Sequence, residues 1–197
     1  MINLAVFASG AGSNAKKIIE HFRHHPDVRV ALIACNKQGA GVLDIAKTAG
    51  IPYLLIEKEF FFRGDAYVPD LQKSGIHWVI LAGFLWKLPT ALLTAYPGRI
   101  INIHPALLPD YGGKGMYGGF VHQAVLDAKE AQSGITIHYV DEHYDHGDVI
   151  FQASCSVEKE DTPETLATKV HQLEHQHYPK VIEDVALGKV IKRKGDE

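Results

Sequence analysis

The residues best placed to do chemistry are an amide and an imidazole, two positions apart in Ile101-Asn102-Ile103-His104-Pro105. This segment has the pattern of a strand end, so alternate side chains share a face and both groups can act on one atom. An amide can stabilise an oxyanion, and an imidazole can transfer a proton. A lone histidine is more often structural, but its pairing with Asn102 before a long loop favours catalysis.

A second candidate is the glycine turn GAGSNA at residues 10–15, which fits G-x-G-x-x-G/A between a strand and a helix. Glycines let the backbone approach an anion, and free N–H groups at a helix start point towards it. A dinucleotide would need an acidic residue after the second strand, where the chain instead has CNK at residues 35–37. The turn therefore favours a phosphate monoester, the alternative being that Ser13 or Asn14 simply caps the helix.

The elements that must position these residues alternate between strands and helices. Short apolar runs predict buried parallel strands, and two later segments of alternating polarity predict antiparallel or edge strands. The pattern predicts an α/β fold with a mostly parallel mixed sheet. A long loop is expected at 104–119 and a solvated basic tail at 189–194. The predicted strands are 2–8, 28–34, 53–56, 78–81, 100–103, 135–140 and 149–157, with helices after residue 15, near 42–49 and 65–73, from 89 and from 163.

Size and composition limit the classes of function. A chain of 197 residues with 46% hydrophobic content can bury one core, so a single domain is expected over 1–197. The formal charge of −3 argues against nucleic acid as a partner. Two cysteines without CxxC spacing suit a reducing cytoplasm, and no apolar stretch is long enough for a membrane span.

Several motifs together resemble the phosphoribosylglycinamide formyltransferases, within the folate-dependent formyltransferase family. They are SGAGSN at 9–14, LAGF at 81–84, INIHPALLP at 101–109, YDHGDVI at 144–150, and EH at 174–175 before YP at 178–179. The resemblance implies a Rossmann-like three-layer formyltransferase fold. Its phosphate-binding half would cover about 1–100, and its folate and catalytic half about 101–197.

The resemblance also implies substrates and site residues. The acceptor would be 5-phosphoribosylglycinamide, and 10-formyltetrahydrofolate would be the co-substrate, with no metal. The catalytic residues would be Asn102, His104 and Asp145. The acceptor would be bound by Gly12, Ser13, Asn14, His171 and Glu174, and the folate by Arg63, Leu85, Trp86, Lys87, Leu88, Asn102, Asp141, Glu142, His143 and Tyr144.

The mechanistic hypothesis concerns the tetrahedral centre that forms when the amine attacks the formyl carbon. Asn102 would stabilise the oxyanion and His104 would donate a proton. An unperturbed histidine has a pKa of about 6.5, so a neighbouring carboxylate that raises this pKa would keep the ring charged. Asp145 is the expected carboxylate.

Some positions depart from the family pattern and leave alternatives open. Trp86 stands where many members carry arginine, His171 where many carry glutamine or lysine, and His146 where a glycine is usual; the glycine-rich loop 112–119 has no assigned role. A formyltransferase acting on another small amine is one alternative. A zinc hydrolase is a less favoured one, because HQLEH at 171–175 fits H-x-x-E-H. The sequence leaves open whether the chain is a monomer or a homodimer.

Overall fold

The computed structural model describes residues 1–189. Their seven strands form one sheet in the order β3-β2-β1-β4-β5-β6-β7. Neighbours from β3 to β5 pair in parallel, whereas β6 and β7 are antiparallel. The predicted mostly parallel mixed sheet is confirmed. The strands are β1 Ile2–Ala8, β2 Val28–Cys35, β3 Tyr53–Leu55, β4 Trp78–Leu81, β5 Ile100–His104, β6 Gln132–Tyr139 and β7 Val149–Ser156.

Seven helices accompany these strands within residues 1–189. They are α1 Ser13–Phe22, α2 Gly41–Ala49, α3 Lys58–Arg63, α4 Val68–Lys73, α5 Thr90–Ala95, α6 Gly119–Asp127 and α7 Pro163–Ala186. None of these helices is both long and apolar enough to cross a membrane. Apart from Lys189, the basic run 189–194 that was expected to be a solvated tail lies outside the described residues.

Two helices correct the sequence prediction. The helix expected near 65–73 is present as α4, but α3 before it was not predicted, and the two are separated at Gly64 and by the left-handed residues Ala66 and Tyr67. A Cβ at Gly64 would lie 2.6 Å from the Phe60 carbonyl oxygen, so glycine is needed where α3 ends. The second correction is α6, whose first residue lies in the segment predicted to be a loop and whose remaining residues were not assigned to any element.

The chain divides into two compact units, Met1–Asn102 and Ile103–Glu197. In the first, β1 is buried between two parallel neighbours, and Leu4, Val6 and Phe7 are at most 1% exposed. This explains why its sequence is a continuous apolar run. In the second, α7 begins with a capping box at Thr162 and Thr165, which satisfies two otherwise unpaired N–H groups. The single-domain organisation stays a prediction.

Candidate active site

His104 ends β5 and is only 3% exposed. Its Nδ1 lies 3.6 Å from Oδ2 of Asp145, and its Nε2 lies 2.8 Å from the carbonyl oxygen of Tyr111, to which it can donate. The structure therefore brings together the two residues predicted to form the catalytic pair. Asn102 lies two positions earlier on the same strand, as the alternation requires.

Asp145 lies between two imidazoles. Its Oδ1 is 3.6 Å from Nε2 of His138, a residue of β6 that is almost fully buried. The Gly113 N–H donates to Oδ2 at 2.9 Å. Burial raises the pKa of Asp145, but His138, His104 and the Gly113 N–H outweigh it, so the pKa lies below its usual value. Asp145 is therefore ionised at neutral pH.

The backbone at Asp145 explains how the carboxylate is aimed. Asp145 has φ 57°, a left-handed conformation that non-glycine residues rarely adopt. The Tyr139 N–H donates to the Asp148 carbonyl at 3.0 Å and closes the turn. A Cβ at Gly147 would collide with the Tyr139 carbonyl. The turn thus depends on glycine at 147 while it holds Asp145 in place.

The protonation of His104 corrects the mechanistic hypothesis. Burial lowers the pKa of His104, and His138 adds to that effect. Asp145 acts in the predicted direction and raises the pKa, as does the Tyr111 carbonyl, but burial outweighs both. The expectation that Asp145 keeps His104 protonated is therefore wrong, because burial has the larger effect. Its imidazole is neutral at pH 7.

A buried polar network supports the loop that follows His104. The Thr136 hydroxyl donates to the Ala106 carbonyl at 2.7 Å and accepts from the Leu108 N–H at 2.9 Å. The Gln152 amide donates to the Leu108 carbonyl and to the Thr136 hydroxyl, both at 2.9 Å. Residues 106–108 are therefore hydrogen-bonded to β6 and β7, and this limits their movement.

Sequence reasoning did not single out His138, Thr136, Gln152 or His122. Thr136 and His138 are two positions apart on a strand that was predicted, so the face they share could have been recognised from the sequence.

His122 is 2% exposed on α6, a helix that was not predicted. Within residues 1–189 its Nδ1 has no hydrogen-bond partner. Burial, followed by His171 and His104, lowers its pKa to about 4.

The predicted acceptor residues on α7 lie one turn apart. Nε2 of His171 is 3.9 Å from Oε2 of Glu174, whose side chain is only 7% exposed. The rings of His171 and His175 stack with centroids 6.2 Å apart. Within residues 1–189 no three His, Cys, Asp or Glu side chains are grouped so that they could hold a metal ion. The H-x-x-E-H motif thus has no third ligand in the described part.

In the first unit, the glycine turn joins β1 to α1. Gly12 is the N-cap with φ 81°, and a Cβ there would lie 2.8 Å from the Val42 Cβ. No side chain caps the helix, so the structure does not support capping by Ser13 or Asn14. The first N–H groups of a helix have no intrahelical partner, so those of α1 can bind an anion.

The predicted folate residues of the first unit follow β4 or lie on α3. The Leu85 N–H donates to Ser9 Oγ at 3.0 Å, which connects this stretch to the glycine turn. Trp86 packs near Phe62, with ring centroids 5.4 Å apart. Arg63 is exposed and pairs with Glu59 at 3.0 Å. Lys87 is exposed and Leu88 is buried.

The predicted folate residues of the second unit form an exposed loop before Asp145. They are Asp141, Glu142, His143 and Tyr144.

Comparisons with known proteins identify the family of the chain. The model of the family described as formyl transferase matches residues 2–182. The chloroplastic phosphoribosylglycinamide formyltransferase of Arabidopsis thaliana is 44% identical over 185 residues, which cover 91% of this chain and 63% of the relative. The phosphoribosylglycinamide formyltransferase of Bacillus subtilis (strain 168) is 36% identical over 190 residues, which cover 94% of this chain and 95% of the relative.

A solved structure shows the same fold. The crystal structure of glycinamide ribonucleotide transformylase 1 from Symbiobacterium toebii has a TM-score of 0.89 and 33% identity, and the match covers 98% of this chain and 92% of that chain. The chain spans 63% of the length of the plant relatives that it matches. Because the family model matches residues 2–182 and the match to the Bacillus subtilis protein covers 95% of that relative, the chain belongs to the formyl transferase family.

Proposed function

We propose that the chain transfers the formyl group of 10-formyltetrahydrofolate to the amine of 5-phosphoribosylglycinamide, in purine biosynthesis. The observation that carries this proposal is the pair formed by His104 and Asp145, 3.6 Å apart, at the end of the strand that also bears Asn102. Relatives that the chain matches over nearly their whole length are named for this reaction, which supports the same acceptor here.

The phosphate of the acceptor would bind to the backbone of Gly12, Ser13 and Asn14. Three observations support this: the close approach of Gly12 to Val42, the left-handed φ of Gly12, and the absence of a side-chain cap on α1. Glu174 would accept hydrogen bonds from the ribose hydroxyls because it is a buried carboxylate, and His171 would lie beside it. Residues 85–88, residues 141–144 and Arg63 would each contribute to binding the folate.

The reaction begins when the amine nitrogen attacks the formyl carbon and forms a C–N bond. The carbonyl electrons move to oxygen, and Asn102 donates a hydrogen bond to the resulting oxyanion. Since burial keeps the His104 imidazole neutral, it can accept the proton that the attacking nitrogen must lose. It then donates that proton to the folate nitrogen as the bond between this nitrogen and the formyl carbon breaks. Asp145 stabilises the transient imidazolium.

Acceptor-dependent release of tetrahydrofolate, followed by absorbance, tests this proposal. The variants are His104→Ala, Asn102→Ala and Asp145→Asn, compared with the native chain. Loss of one oxyanion donor lowers kcat about 10²- to 10³-fold, and losses of that size are expected in all three variants. The exposed His24→Ala on the segment after α1 is the matched control and should keep native activity.

Two results would contradict parts of the proposal. If the native chain releases folate at the same rate with and without 5-phosphoribosylglycinamide, the assignment of the acceptor is wrong, and other small amines become the substrates to test. If His104→Ala retains native kcat while the acceptor is consumed, the proton must travel by another route. Whether the chain acts as a monomer or a homodimer, and its cytoplasmic location, stay predictions.

A further inference from the structure

We propose that the first unit carries a second binding site, for a small organic anion, at the amino ends of β4 and β5. A cavity of about 350 Å³ opens there. His77 directly precedes β4 and Arg99 directly precedes β5, and both line the cavity. This proposal concerns neither formyl transfer nor its substrates.

The location separates this cavity from the glycine turn. β1, β4 and β5 run parallel, so their amino ends lie at one edge of the sheet and their carboxyl ends at the other. The glycine turn follows β1, and the predicted folate residues 85–88 follow β4, so both lie at the carboxyl edge. Four residues of β4 span about 13 Å, which is too far for one small ligand to touch both edges.

The polar groups of the cavity are cationic or can donate hydrogen bonds. The Arg99 side chain is exposed, and within residues 1–189 its guanidinium has neither a hydrogen bond nor an ion pair. Nδ1 of His77 accepts a hydrogen bond from the Asn3 N–H at 3.0 Å, so the neutral ring offers Nε2–H as a donor. Gln72 adds an amide. The lining includes no Asp or Glu, so no negatively charged side chain there would repel a carboxylate or phosphate oxygen.

The cavity is also already formed. His77 is fixed by a second hydrogen bond, from its N–H to the Asn3 carbonyl at 2.9 Å. The Asn3 side chain in turn donates to the Gly75 carbonyl at 3.0 Å and accepts from Arg29 Nε at 2.8 Å. Arg99 is fixed at the backbone, where its carbonyl accepts from the Val79 N–H at 3.0 Å. A ligand would therefore bind with little loss of protein conformational entropy.

The remaining lining residues indicate what kind of anion fits. Ile76, Ala95 and Pro97 supply an apolar wall, and Tyr96 adds an aromatic one. The Tyr96 hydroxyl itself is buried and, among residues 1–189, has no hydrogen-bond partner. A volume of 350 Å³ equals that of about a dozen water molecules and lies in the range of metabolite sites. An inorganic ion alone would leave most of it unfilled, so the ligand has a compact apolar part and one oxyanion.

Titrations of the full ¹⁵N-labelled chain, followed by amide chemical shifts, test this site. The probes are benzoate and phenyl phosphate, and their neutral analogue is benzyl alcohol. We expect saturable shifts at residues 72–77 and 95–99 with at least one anion, and binding of benzyl alcohol at least tenfold weaker. Shifts at residues 10–14 would report separate binding of phenyl phosphate to the glycine turn, so the residues that shift distinguish the two sites.

Arg99→Gln should weaken anion binding at residues 72–77 and 95–99 about tenfold or more, because a charge-assisted hydrogen bond is lost. The matched control is Arg23→Gln, at another exposed arginine directly after α1, and it should bind as the native chain does. The proposal is overturned if neither anion gives saturable shifts at these residues, if Arg99→Gln binds as tightly as the control, or if benzyl alcohol binds as well as benzoate. None of these results depends on formyl transfer.

Discussion

The buried His122 predicts a specific loss of stability in mild acid. Its pKa is about 4 in the folded chain and 6.5 at an ordinary site. Between these values the unfolded chain binds a proton that the folded chain does not, so the free energy of unfolding falls as pH falls. The slope is about 1.4 kcal/mol per pH unit, which gives a loss of about 2 kcal/mol between pH 7 and pH 5 from this residue.

Urea unfolding at pH 7 and pH 5 measures this loss. His122→Gln cannot titrate, so its stability should fall by about 2 kcal/mol less than that of the native chain over the same interval. The exposed His24→Gln is the control and should keep the native pH dependence. The lowered pKa of His104 acts in the same direction and remains in every variant, so the difference isolates His122. Equal losses in the native chain and in His122→Gln would refute the reasoning.

Three further substitutions test the supports of the site. Gly12→Ala places a Cβ against Val42 at a positive φ and should cost about 1–3 kcal/mol of unfolding free energy, while raising the acceptor KM. Gly147→Ala places a Cβ on the Tyr139 carbonyl and should cost about 3 kcal/mol, with loss of kcat because Asp145 is displaced. Thr136→Val leaves two backbone groups of the loop after His104 without partners and should cost about 2–4 kcal/mol. Urea unfolding measures all three stabilities.

Matched controls separate these mechanisms from general effects of substitution. Gly39 also has a positive φ, 74° against 81° at Gly12, but an added Cβ would meet no atom within 4 Å, so Gly39→Ala should cost less than Gly12→Ala. Gly119→Ala has open space and should show no clash. Thr168→Val removes only a surface bond to the Glu164 carbonyl. Equal costs in a variant and its control would contradict the mechanism given for that pair.

Most of the sheet could be predicted because its strands carry a direct signal. β1 and β4 are buried between neighbours, so continuous apolar runs mark them, and β6 and β7 alternate in polarity. α6 carried a weaker signal, because Gly118 and Gly119 continue a glycine-rich loop into its first turn. α3, which was not predicted, is followed by two residues with positive φ, a backbone conformation that side-chain patterns do not report.

Sequence motifs identified the residues of the candidate site, but its electrostatics could be predicted only in part. Asn102, His104 and Asp145 were identified from motifs, and the 3.6 Å distance between the last two agrees with their predicted pairing. The state of His104 was mispredicted because it depends on burial, which competes with the charge of Asp145. The Tyr111 carbonyl and Gly113 N–H are backbone groups on a loop, so their positions cannot be predicted from the residue types.

The bond between His104 Nε2 and the Tyr111 carbonyl has a consequence for ligand affinity. A substrate that needs this nitrogen competes with a partner that is permanently present in the same chain. If the internal bond contributes about 1 kcal/mol, only about one molecule in six has the nitrogen free at a given moment, and apparent affinity falls by a similar factor. Any change that moves residue 111 away should therefore tighten binding without adding a contact to the substrate.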